Sequence, residues 1–132
     1  MPQMQNLVLN DRKATPVAHT FIPRDISGRS AQVVEAGTTP IGDSIVVITP
    51  GTSSSGRRTV NIRLAVPVVA TETINGVSAP KLLRTSYAEV KFNFAADSTE
   101  AERDDIVGMI ADALGASKAL VNDTVVKLQG IY

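Results

Sequence analysis

Two ten-residue stretches, 57–66 and 85–94, carry the polar side chains best suited to chemistry, and both alternate. Arg57, Thr59, Asn61 and Arg63 stand at every second position, with Val60, Ile62, Leu64 and Val66 between and beyond them. In the second stretch Tyr87, Glu89, Lys91 and Asn93 alternate with Ala88, Val90, Phe92 and Phe94. Successive side chains of an extended strand point to opposite faces, so each stretch predicts a strand with one apolar and one polar face. The polar faces combine cations for phosphates, hydroxyls and amides for base edges, and a ring on which an unpaired base can stack. That set suits single-stranded RNA. Glu89 repels phosphate, so its part is to accept a hydrogen bond from a base or ribose or to orient an arginine.

Other reactive side chains lack companions. His19 is the one histidine and there is no cysteine, which leaves neither a metal-ligand spacing nor thiol chemistry. Ser53-Ser54-Ser55 lies between Pro50 and Gly56 and reads as a loop without a base to activate it. Glu100, Glu102, Asp104 and Asp105 read as the solvated start of a helix rather than a cation site. Asn122-Asp123-Thr124 fits a glycosylation sequon but has no secretory signal to make it matter. No catalytic residue, cofactor motif or metal site is expected, and the chain reads as no enzyme.

The elements that must hold the polar face follow from periodicity and turn residues. Residues 6–10 and 17–26 predict an N-terminal hairpin, with Pro23 interrupting its second strand. Strands are expected over 31–36, 44–49, 57–73 and 82–94, with loops over 37–42, 50–56 and 73–81. Asn75-Gly76 marks a turn within the last loop, which Pro80 closes. Past Asp97 the period changes. Either Asp97 with Glu100 or Thr99 with Glu102 makes a capping box, followed by Ile106, Met109, Ile110 and Leu114 at helical spacing. Gly115 ends that helix, and Ser117 caps a second one carrying Leu120, Val121, Val125 and Leu128. Strands followed by two helices make an α+β domain spanning 1–132, with the hairpin over 1–26, the sheet over 31–94 and the helices over 98–128.

The 132 residues are 43% hydrophobic but only 4% aromatic and contain no tryptophan. Such a core is thin, and burial against a second copy is expected. A net charge of zero hides a division: residues 44–91 hold six Lys or Arg against two acids, and residues 97–132 hold three against seven. The sheet half therefore suits a polyanion. No apolar run reaches the roughly 20 residues of a membrane helix, so no membrane partner is expected and the chain reads as a soluble protein of a reducing compartment.

The chain resembles the coat proteins of single-stranded RNA bacteriophages, the leviviruses of the Q-beta-like kind. The resemblance rests on Met4-Gln5-Asn6-Leu7-Val8-Leu9, Phe21-Ile22-Pro23-Arg24-Asp25-Ile26, Val66-Pro67-Val68-Val69, Arg84-Thr85-Ser86-Tyr87-Ala88-Glu89-Val90, Ser98-Thr99-Glu100-Ala101-Glu102-Arg103 and Leu128-Gln129-Gly130-Ile131-Tyr132. It implies an N-terminal β-hairpin, a five-stranded antiparallel sheet and two C-terminal helices. It further implies an intertwined homodimer with a continuous ten-stranded sheet, in which each copy's helices cover the other's apolar rows. Dimers of this family close into an icosahedral T=3 shell around the RNA genome, with residues 73–81 meeting at the symmetry axes. The protein would then be made in the bacterial host cytoplasm and reside in the virion.

The resemblance also implies that the polar face binds an RNA hairpin at the replicase start, which represses translation and directs packaging. Carried over by position, the contacts are Arg57, Thr59, Asn61, Arg63, Tyr87 and Glu89, joined by Thr49 and Val47 on the neighbouring strand. Relatives place a basic residue and two small hydroxyl residues where this chain has Ile45, Val47 and Thr49, around an adenine pocket. Only Thr49 keeps that character, which leaves open a shell protein that packages RNA without a specific operator. The loop 73–81 also lacks the cysteines that cross-link the Q-beta shell.

Overall fold

The computed structural model describes residues 2–37 and 40–132. Six strands follow one another: β1 (Leu7–Asn10), β2 (Ala18–Ser27), β3 (Ser30–Glu35), β4 (Ser44–Thr52), β5 (Arg58–Ile74) and β6 (Val77–Phe94). A short 3-10 turn, Pro40–Gly42, precedes β4, and helices α1 (Glu100–Ala113) and α2 (Ala119–Val125) end the chain. The strands form one antiparallel sheet in sequence order, with β1 and β6 at its edges. The chain divides into two compact units, one through Asn93 and one from Phe94 onward.

This architecture corrects the expectation of a hairpin separate from a five-stranded sheet: the sheet has six strands, because β2 serves both. Its first half pairs with β1, from Asn10 opposite Ala18 to Leu7 opposite Phe21. Its second half pairs with β3, beginning at Ile22 opposite Val34. The exchange falls beside Pro23, which has no N–H for a ladder, and the register slips by one residue between Pro23 and Asp25.

Two expected loops are shorter than composition implies. β4 runs through Pro50 and Gly51 to Thr52, opposite Val60, Thr59 and Arg58. A Cβ at Gly51 would come within 2.9 Å of the Thr59 hydroxyl, so glycine here lets the strands approach. The turn shrinks to 53–57, closed by the Ser53 N–H donating to the Arg57 carbonyl at 2.9 Å. The predicted loop 73–81 is mostly strand, with β6 beginning at Val77 and Pro80 inside it. Asn75 and Gly76 alone make the turn, at φ of 51° and 78°. Both values are positive, as a two-residue hairpin of the sheet's own twist requires.

On one side of the sheet Phe21, Val33 and Val46 form a buried cluster flanked by Met4, Leu7, Ile48, Ile62 and Leu64. Register places these side chains together: Leu7 faces Phe21, Val33 faces Val46, Val46 faces Leu64, and Ile48 faces Ile62. Part of the apolar row on β5, Ile62 and Leu64, thus packs in the same cluster as Met4 and Leu7 of the N-terminal segment.

In the C-terminal unit the Thr99–Glu102 capping box is formed, with the Glu102 N–H donating to the Thr99 hydroxyl at 3.3 Å. Arg103 donates to the Ser98 carbonyl at 2.6 Å, bracing the same turn. Lys118, not Ser117, stands at the cap of α2 and supplies no side-chain hydrogen bond. That helix ends at Val125, short of Leu128, which has a φ of 57°. Neither helix has a buried residue.

Candidate nucleic-acid interface

The polar side chains of β5, with Arg57 just before it, and of β6 meet in pairs. Arg57 Nε donates to Asn93 Oδ1 at 2.7 Å. Asn61 Nδ2 donates to Glu89 Oε1 at 2.9 Å. The Arg63 guanidinium lies 4.8 Å from the centre of the Tyr87 ring, a cation–π contact. The alternation of both strands has placed these groups on one face, and the ladder has set them opposite one another.

Neighbouring strands extend the array. Thr49 is opposite Asn61, Val47 opposite Arg63, and Gly51 opposite Thr59. The Thr49 hydroxyl accepts a hydrogen bond from Ser30 Oγ at 3.2 Å. Gln32 on β3 is opposite Val47, so Gln32, Val47, Arg63 and Tyr87 make one row across four strands. All eight side chains expected at the site therefore share this face.

Four features suit the array to a nucleic acid. Among the described residues Arg57 and Arg63 enter no ion pair, so their charges are uncompensated. Tyr87 is 62% exposed, and with Arg63 over one side of its ring a stacking base must use the other or displace the arginine. Asn61 Oδ1 is buried and unpartnered while its Nδ2 is held by Glu89. Such an acceptor is costly unless a donor reaches it. A cavity of about 420 Å³ opens on the same face, lined by Gln32, Ile41, Ile45, Val47, Arg63 and Tyr87 among others.

Gln32 and Asn93 are the residues that the sequence reading left out of the site. Alternation already put Asn93 on the polar face, and its partner Arg57 was the missing fact. Nothing in the local sequence marks Gln32, because its place in the row depends on the β3–β4 register.

The levivirus coat protein profile matches residues 2–132. The chain is 52% identical over 130 residues to the capsid protein of Pseudomonas phage PRR1, covering 98% of this chain and 99% of that one. It is 29% identical to the capsid protein of Escherichia virus Qbeta, over 97% and 87% of the two chains. The solved virus-like particle of bacteriophage NT-214 superposes with a TM-score of 0.85 at 28% identity, over 99% of this chain and 100% of that one.

Proposed function

Starting from the fact that this chain belongs to the levivirus coat protein family and is a capsid protein, not an enzyme, we propose that it builds a T=3 shell from homodimers and binds an RNA hairpin on its polar face. The dimer joins two copies along β6, an 18-residue strand at the edge of the sheet. Strands β2–β6 of both copies then supply ten strands of a continuous sheet, which the short β1 extends at each end, and the long β6 edge is no longer open. The helices, none of whose residues is fully buried within the chain, cover the partner's apolar rows. Relatives carrying the names capsid protein and virus-like particle support the shell. The protein is made in the bacterial cytoplasm and ends in the virion.

The observation that carries the RNA reading is the paired array of Arg57, Asn61, Arg63, Tyr87 and Glu89 on one face of a capsid chain. Arg57 and Arg63 bind phosphates, Tyr87 stacks an unpaired base, and Asn61 Oδ1 with Thr49 and Thr59 takes donors from loop bases. Val47 forms an apolar wall beside Gln32, whose amide is the base-reading group nearest that wall. Occupation of a hairpin at the replicase start blocks ribosomes and marks the genome for packaging. Packaging without a specific operator is the second reading, favoured by apolar Ile45 and Val47 in the cavity wall.

The test expresses the chain in bacteria, isolates particles by size exclusion and competes matched against scrambled hairpins of equal length. The repressor reading expects uniform particles rich in 260 nm absorbance and a preference among hairpins. Tyr87→Ala should weaken that binding by about 1–3 kcal/mol, and Arg63→Ala should flatten its salt dependence. Particles that bind all hairpins alike leave the shell and remove the operator.

A further inference from the structure

We propose that Asp11, His19 and Glu35 form a proton-dependent clasp that fastens the N-terminal hairpin to the sheet and loosens it when His19 gives up its proton. Both ring nitrogens face carboxylates. His19 Nε2 lies 2.9 Å from Asp11 Oδ2, in the turn after β1, and Nδ1 lies 2.9 Å from Glu35 Oε2 at the end of β3. Only the imidazolium can donate to both at once. A neutral ring keeps one N–H and turns a lone pair toward the other carboxylate.

The clasp sits where the backbone offers little else. The ladder between β2 and β3 begins at Ile22 opposite Val34, so residues 18–21 pair only with β1, through four residue pairs. His19–Glu35 joins this end of the hairpin to the rest of the sheet, beside the packing of Phe21 and Leu7 in the cluster with Val33 and Val46. Asp11 is itself prepared for the role, because its Oδ1 accepts from the backbone N–H groups of Lys13 and Val17 at 3.1 and 3.0 Å. Among the described residues His19 pairs with Asp11 and Glu35, and Lys13 Nζ lies 3.6 Å from Asp11 Oδ2.

Electrostatics gives the direction. The hydrogen bond from His19 holds the Asp11 carboxyl well below the usual carboxylate range. Hydrogen bonds to Asp11 first and Glu35 second push the imidazole above its ordinary value of 6.5. A raised histidine stabilises the folded hairpin fully below pH 6.5, and that contribution is lost as pH rises through the folded value. At the acid end, the Asp11 contribution is present above pH 3.8 and fades as the carboxylate protonates.

Hydrogen exchange on purified particles across a pH series, corrected for intrinsic rates, tests the clasp. Protection of amides 7–10 and 18–21 should fall by roughly tenfold per unit of pH across the titration, while β4 and β5 amides hold. His19→Gln should give a weaker hairpin whose protection no longer changes across this pH range, and Glu35→Gln a weaker hairpin whose pH dependence shrinks to what the Asp11 contact alone supplies. Hairpin protection that is flat with pH in the unmodified protein, or a pH dependence that survives both substitutions, overturns the proposal. The unmodified protein alone suffices for the first of these results.

Discussion

The two units of this chain solve the burial problem in opposite ways. The sheet unit holds its own core, with Phe21 and Val33 each 4% exposed and Val46 2% exposed. The helical unit has a well-capped first helix, but neither of its helices has a buried residue, and Met109 and Leu120 stand 64% and 68% exposed. Capping and hydrogen bonding within the chain make a helix, but an apolar side chain left in water contributes nothing to stability. One unit therefore resembles a small folded domain, and the other resembles half of an interface.

The contrast can be broken at its weakest point first. If a second copy covers the helices, Ile110→Asp with Leu114→Asp should abolish assembly, read as loss of particles and dimers by size exclusion. Retained particles would mean that the helical unit needs no cover. Phe21→Ala, inside the sheet unit's own cluster, should cost about 3–5 kcal/mol by denaturant unfolding. A smaller loss there would make the two units alike. Thr99→Ala removes the α1 cap and should cost about 1 kcal/mol, visible as reduced helicity with the sheet transition unmoved.

Legibility in the sequence followed contact range. The alternation of 57–66 and 85–94 and the Asn75-Gly76 turn depend on residues within a few positions of one another and were readable, while the sequence left the Thr99–Glu102 box beside the alternative of Asp97 with Glu100. The His19 clasp was not: the residue stands alone in the sequence, and its partners are 8 and 16 positions away. The Pro50–Thr52 segment carries turn residues, yet its register with β5 makes it strand. Pro23 announced an interruption of β2, but only the pairing on either side turns that interruption into a strand shared by hairpin and sheet.

By itself the amino-acid order determined which side chains share a strand face, where the turns fall and how the first helix begins, because backbone geometry sets these over two to four residues. Which polar groups meet across strands, and which charges are left without an ion-pair partner among the described residues, only the tertiary structure decided. Arg63 finds Tyr87, Asn61 finds Glu89, and His19 finds two carboxylates through a register that the whole sheet imposes. A slip of one residue in any ladder would turn these side chains to the opposite face, so pairing, not composition, makes the site.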